Sequence, residues 1–312
     1  MSRLIASVDV PASSANLGSG FDCFAAALSL KLRAELYPGD EAGILLNAHG
    51  EGAPREDEDP DENLLIRAFR EGMRAALGSE SGSGAWRIEV SSMIPAARGL
   101  GSSAAAIVAG LLLGASVGRR APGPDDLLHL AARLEGHADN VAAALYGGIT
   151  LAVCDLAATD GGVVLRRFNI PESWIPVVFL PQLESRTTDM RGALPLAVPH
   201  ADATAAAARA ALLATAIATG DASLLRPAMD DLLHQPYRLP RLPGTAELIS
   251  TAYAHGAAGA CLSGAGPSVL AICDSPAVAH SVEKAFNGCG LRGMATRLRF
   301  DTSGARLSNA GG

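Results

Sequence analysis

The sequence predicts a two-domain chain of mixed helices and strands, and three observations carry that expectation. Its 312 residues, 49% hydrophobic and 18% charged, suffice for one large domain or two of ordinary size, with a substantial core. Segments of strand-like and helix-like hydrophobic spacing follow one another along the chain, with no repeat of fixed period. Around residues 157–176 the pattern turns loop-like, broken by Gly161, Gly162 and Pro171, and the division into residues 1–165 and 166–312 is placed there.

Residues 4–10 read as a first strand, and 24–36 as a second. Between them PASSANLGSGFD (11–22) reads as a loop of small polar residues broken by Gly18 and Gly20. The acidic run 50–63 reads as an exposed loop. Asn63 then introduces an amphipathic helix over 64–77, with Leu65, Ala68, Phe69 and Met73 on one side, and 86–90 is a strand. After the segment 94–117, Pro124, Asp125 and Asp126 open a helix that Gly136 ends. A short helix closed by Gly147 and Gly148 and a strand at 149–153 follow. In the second half, strands are expected at 175–180 and 291–299, with a strand, glycine hairpin and strand over 258–272. Helices are expected at 200–219, 221–234, 245–255 and 276–286, with a short one in the polar loop after 180. The tail 302–312 reads as disordered.

The stretch 94–117, IPAARGLGSSAAAIVAGLLLGASV, is the one the rest of the chain serves. Gly99 and Gly101 let backbone amides approach a ligand, and Ser102 and Ser103 stand where a serine caps a helix. The first helical turn offers unpaired N–H groups and the positive end of the dipole, which makes an anion site suited to phosphate. Gly110 and Gly114 offer a small face for close helix packing. A serine-capped loop–helix junction with no ligand would read the same way. A Walker-type loop needs a lysine, and the chain has only Lys31 and Lys284. The run from Gly99 to Ala104 does fit a dinucleotide fingerprint, but a turn and a second helix follow where a strand is required.

Composition narrows the function. A net charge of −7 with no dense basic run argues against a nucleic-acid partner. The apolar run 104–117 is shorter than the roughly 20 residues that cross a bilayer, so no membrane partner is expected. No basic-then-apolar leader opens the chain. Five scattered cysteines without CxxC spacing are expected to be reduced thiols of a cytoplasmic enzyme. Three small-residue loops recur, at 18–20, 99–103 and 264–268, and are expected to converge on one ligand.

Taken in order, PASSANLGSGFD, PAARGLGSSAA and CLSGAGPS resemble the three motifs of the GHMP kinases. Within that family EGHADNVAAALYGG and HQPYR resemble the homoserine kinases, and the resemblance covers about residues 5–300. It implies a two-domain α+β GHMP kinase fold. The N-terminal half would be similar to the second domain of ribosomal protein S5, with a left-handed βαβ crossover, and the C-terminal half ferredoxin-like. The implied reaction is transfer of a phosphoryl group from ATP, with Mg²⁺, to L-homoserine, in threonine biosynthesis. A homodimer is expected. Another acceptor (mevalonate, a sugar or shikimate) or a non-catalytic ATP-binding relative stands as the alternative.

The same resemblance assigns roles. Pro95, Arg98, Gly99, Leu100, Gly101, Ser102, Ser103, Ala104 and Ala105 would wrap the ATP phosphates, with Gly264 and Gly266 closing over them. Asn63 falls near the adenine, or is only a helix cap. Ser103 and Glu135 would hold Mg²⁺ through hard oxygen ligands. Asn140 is favoured to orient the acceptor hydroxyl, with Asp139 either a base or a cap, and His137 structural. Asp22 would meet the substrate ammonium with Asn16 nearby, while Arg191 and Arg238 take the carboxylate beside Thr187.

Overall fold

Two long strands begin the chain and set the position of everything after them. β1 (Ala6–Leu17) and β2 (Gly20–Pro38) form an antiparallel hairpin with its tip at Gly18 and Ser19. The computed structural model describes residues 3–52, 59, 62–78, 84–118, 122–154 and 162–310. The expected loop at 11–22 is therefore mostly strand. Its alanines and serines are buried, and the irregularity that polar composition implied survives as bulges at Pro11/Ala12 and Ala15/Leu17. Small polar residues here mark a crowded interior, with Ser13 and Ser14 hydrogen-bonded across the fold, rather than a solvated turn.

β3 (Gly43–Glu51) and β4 (Ala85–Met93) pair in parallel, and α1 (Leu64–Leu77) lies between them in sequence. Strand β3 escapes sequence reading because it is a sheet edge on which only Leu46 is buried. The first sheet runs β11-β1-β2-β4-β3, with β5 (Ile149–Cys154) on β2 and β6 (Val163–Phe168) on β5. β6 lies inside the segment expected as a loop-like boundary. Most of the acidic run 50–63 and the segment 155–161 lie outside the described residues.

α2 (Ser102–Ser116), α3 (Pro124–Glu135) and α4 (Asp139–Tyr146) cover this sheet together with α1. α1 and α2 touch backbone to backbone. A Cβ on Gly110 would stand 2.3 Å from the Leu65 carbonyl oxygen, and one on Gly114 2.0 Å from that of Phe69. The expected small face is thus used for helix packing. α2 is buried on nearly every side, which holds its N-terminus rigid.

The second sheet, order β10-β7-β9-β8, is antiparallel and contains β7 (Ile175–Pro181), β8 (Gly259–Leu262), β9 (Val269–Cys273) and β10 (Gly293–Arg297). With α9 (Thr245–Ala254) and α10 (Pro276–Asn287) packed on it, this is the ferredoxin-like arrangement. Between β7 and α9 come α5 (Thr187–Arg191), α6 (His200–Thr219), α7 (Leu225–Ala228) and α8 (Gln235–Arg238). The helix expected over 221–234 is broken. Pro227 denies it a donor, and the buried Asp231 carboxylate accepts the N–H groups of Leu233, His234 and Gln235, which turns the chain.

α6, at 20 residues and mean hydropathy 1.2, is the one helix among the described residues that meets the length and apolarity of a membrane span. Alanine supplies that apolarity, and Ala206, Leu213, Ala216 and Ile217 seat one face on the protein. The expected disordered tail instead returns as β11 (Arg306–Asn309) against β1, from Ala6↔Asn309 to Asp9↔Arg306. All four residues of β11 are exposed, so main-chain pairing, not hydrophobic pattern, places it.

Candidate active site

The loop from Pro95 to Gly101 delivers the chain from β4 to α2, and hydrogen bonds from Ser13, Ser185 and Ser263 clamp it. Ser13 N–H donates to the Leu100 carbonyl (3.1 Å), and Ser263 O–H to that of Gly99 (2.6 Å). Gly99 and Gly101 have φ of +74° and +67°. A Cβ on Gly101 would come within 2.1 Å of Ser13 Oγ, and one on Gly99 within 2.0 Å of the Ser263 carbonyl oxygen. No other residue fits either place. Gly101 itself is the N-cap of α2, in the left-handed region, so neither serine hydroxyl is spent on capping. Ser103 O–H donates instead to Glu135 Oε1 at 2.6 Å. Ala105 N–H is used by the Gly101 carbonyl, and both Ala104 and Ala105 are fully buried.

Glu135 ends α3, where Gly136 turns the helix away in the left-handed region. Burial pushes its carboxyl above the ordinary carboxylate range, against the hydrogen bond from Ser103. His137 Nδ1 stands 2.8 Å from Asp139 Oδ1, and Nε2 4.0 Å from Glu135 Oε1. Burial opposes the imidazolium, but Asp139 and Glu135 outweigh it and raise the pKa. Asp139 is not the helix cap. Ala138 holds that position, and the Asp139 carboxylate, buried at 1% exposure, receives Asn140 N–H at 2.7 Å. Ser13 O–H donates to Asn140 Oδ1 at 2.8 Å, which leaves the amide NH₂ to face the cleft.

At the other end, Asn16 Oδ1 accepts Asp22 N–H at 2.8 Å, both residues having positive φ. The structure brings Asp22 and Arg191 together as one bidentate pair, 3.0 and 2.9 Å, rather than as two separate charges. Arg238 is 1% exposed, with the Phe21 ring 5.3 Å from its guanidinium carbon. Asn16, Asp22, Ser102, Ser103, Glu135, His137, Asp139, Asn140, Arg191, Arg238 and Gly264 all line one cleft, Thr187 standing exposed at its rim. This cleft, about 60 Å³, shares Ser102, Ser103, Glu135, His137, Thr187 and Arg191 with the lining of a neighbouring cavity of about 580 Å³.

Several expected residues lie elsewhere. Pro95 and Arg98 line a separate groove with Met93 and Met294. Asn63 caps α1, accepting Ile66 N–H at 3.1 Å. Gly266 packs on Leu242 and Leu262, while Gly264 N–H reaches the Ala15 carbonyl. Sequence reasoning missed Ser13, Phe21 and Ser185. Ser185 lines the cleft, and its hydroxyl is buried without a partner among the described residues. His234, quoted only within HQPYR, stacks on Phe21 at 5.2 Å.

The sequence models of the GHMP kinases N terminal domain and GHMP kinases C terminal domain match residues 63–148 and 210–290. The homoserine kinase of Moorella thermoacetica is 41% identical over 290 residues, 91% of this chain and 94% of that one. The chain belongs to the homoserine kinases of the GHMP kinase family. The homoserine kinase of Microchaete diplosiphon is 38% identical over 97% of both chains. Among solved structures, homoserine kinase from Cytophaga hutchinsonii superposes with TM-score 0.85 at 25% identity, covering 99% of this chain and 98% of its own. The homoserine kinase fold therefore extends over both sheets, including the segments outside the two matched regions.

Proposed function

We propose that this cleft phosphorylates the side-chain hydroxyl of L-homoserine with ATP, giving O-phospho-L-homoserine and ADP. One observation carries the reading: Asp22, Arg191 and Arg238 share a cleft with Asn140 and the N-terminus of α2. A free amino acid is a zwitterion, and its two charges need a carboxylate and a guanidinium within one small volume. The names of the relatives agree with it.

The amides and dipole of the α2 N-terminus attract the triphosphate. The hydroxyl and carboxylate of Ser103 and Glu135, 2.6 Å apart, suit Mg²⁺, which takes hard oxygen ligands along with water and phosphate. Bound there, Mg²⁺ would neutralise charge on the phosphates. The Asn140 amide, fixed by Ser13, donates toward the acceptor hydroxyl and aims its oxygen. Asp139 holds His137 and the Asn140 backbone, so it orients the site; a loose transition state asks little of a base.

ADP release measured with Mg²⁺, ATP and a panel of alcohols tests the reading. Turnover is expected with L-homoserine. Turnover of mevalonate, shikimate or a hexose without homoserine would replace the substrate, and ATP binding without turnover of any acceptor would remove the activity.

A further inference from the structure

Arg238 is a buried cation held entirely by neutral groups. Its Nε donates to the Met190 carbonyl (3.4 Å), and one terminal nitrogen is shared between the Gly264 carbonyl (3.4 Å) and His234 Nδ1 (3.2 Å). None of the ion pairs among the described residues includes it, and Nη2 has no partner among them. Arg191, by contrast, is already neutralised by Asp22. A buried guanidinium without a counter-ion carries a standing desolvation cost, which an incoming anion relieves. Burial accordingly lowers its pKa, with Arg191 adding to the effect and the more distant Asp22, Asp231 and Asp139 carboxylates opposing it.

The state of His234 follows from its surroundings. Its Nε2 faces two acceptors, the Gly18 carbonyl at 3.2 Å and Asp231 Oδ2 at 3.5 Å, so that nitrogen carries the proton. Nδ1 faces an Arg238 N–H and must be bare to accept it. Burial, against Asp231 and with the Arg238 charge, pushes the imidazole down to about 4, so it is neutral throughout the physiological range. The ring lies flat on Phe21, whose neighbour in sequence is Asp22. Asp231, Arg238 and Asp22 are the charged groups that face it.

We propose that neutral His234 is a positioning residue that fixes the Arg238 guanidinium by accepting its N–H at Nδ1, so that Arg238 keeps its full charge for the carboxylate of the acceptor. A carboxylate in that place would hold Arg238 as firmly but would compete with the substrate. A lysine or a protonated histidine would expel it. The proposal rests on the amino-acid acceptor proposed above. It adds that specificity for the carboxylate is set by a residue that does not touch the substrate.

Two measurements test it. The first needs no substrate. In ¹⁵N-histidine spectra of the unaltered protein, with His234 assigned by its loss in His234→Asn, Nδ1 is expected to be bare and Nε2 protonated from about pH 7 down to about pH 5. A proton on Nδ1 would overturn the proposal. The second compares L-homoserine with 3-aminopropan-1-ol, which keeps hydroxyl and ammonium but lacks the carboxylate. His234→Phe keeps the ring stack and removes the acceptor; it is expected to raise the homoserine KM about tenfold or more, as for loss of a charged hydrogen bond. The ATP KM and the turnover of 3-aminopropan-1-ol should stay within about twofold. His234→Asn, whose Oδ1 can stand where Nδ1 stood, should restore most of the homoserine KM. Equal losses on both acceptors, or an unchanged homoserine KM, would overturn the role. Should His234→Phe not fold, His234→Gln, with no acceptor at the Nδ1 position, takes its place. If homoserine is not a substrate at all, the acceptor assignment fails while the tautomer measurement still stands.

Discussion

Arg191 and Asp22 hold each other by two parallel hydrogen bonds, 3.0 and 2.9 Å, across 169 residues of sequence. One residue comes from the β1–β2 hairpin and the other from α5, so the pair ties the first sheet to the second half of the chain at the cleft. Each partner matches one end of a zwitterion. Binding of an amino acid would exchange one ion pair for two, with Arg238 supplying the second guanidinium.

The pair is about half exposed on Arg191, at 44% against 35% for Asp22, so it adds little to folding. Arg191→Ala is expected to move Tm by no more than about 3 °C. The homoserine KM should rise about 10- to 100-fold, the equivalent of about 1.5–3 kcal/mol for a hydrogen bond to a charged group. Thermal denaturation and steady-state kinetics on the same preparation read both. A KM unchanged by the substitution would remove Arg191 from the acceptor site.

Glu135 gives a pH prediction with a definite sign. Burial raises its folded pKa above the unfolded value, so the folded state binds more protons between the two, and stability falls as pH rises through that interval. Glu135→Gln removes the cost. In Mg²⁺-free buffer at neutral pH the variant should melt higher than the parent, and the two should converge in acid. Its turnover should drop about 100-fold or more, as for loss of a principal electrostatic contact. A lower Tm together with retained turnover would contradict both the burial argument and the metal assignment.

Three glycines with positive φ separate steric from conformational cost. Gly136 has φ of +88° with nothing within 4 Å of an added Cβ, so Gly136→Ala should cost only about 1 kcal/mol. Gly99 and Gly101 combine the same conformation with clashes at 2.0 and 2.1 Å. Alanine at either should cost about 1–3 kcal/mol or more and raise the ATP KM, because the glycine loop ahead of α2 must itself move. Urea melts rank the three, and equal costs would show the loop to be free to yield.

Ser13 and Asn140 form a hydrogen-bonded pair between β1 and α4, at 2.8 Å. Ser13→Ala frees the Asn140 amide to rotate, and kcat should fall about fivefold, the equivalent of about 1 kcal/mol. Asn140→Ala should fall further, with the ATP KM unchanged in both. If Ser13→Ala were as severe as Asn140→Ala, the serine would be touching substrate rather than orienting the amide.

Elements with a hydrophobic face were legible without coordinates. α1 and α3 stand where their apolar stripes placed them, and α6 and α10 where an alanine-rich run and an opening Pro276 did, because each buries one face. The strands that escaped reading, β3, β6 and β11, are edge or outer strands with few buried side chains. Backbone pairing leaves no mark on hydropathy. PASSANLGSGFD misled for the opposite reason: small residues fit a crowded interior as readily as a turn, and only the neighbouring α2 and α4 distinguish the two.

By itself the sequence determined the helical frame apart from 221–234, the glycine loop ahead of α2, the absence of a Walker lysine and, through its motifs, the family. Those are properties of neighbouring residues, where backbone geometry and spacing dictate the outcome. Only the tertiary structure decided that Asp22 meets Arg191, that Ser103 meets Glu135, and that His234 stands between Gly18 and Arg238. Each of these pairings brings together groups from different parts of the fold, and charge or hydrogen-bonding capacity in a linear chain does not say which partner will be within hydrogen-bond reach once the core has closed.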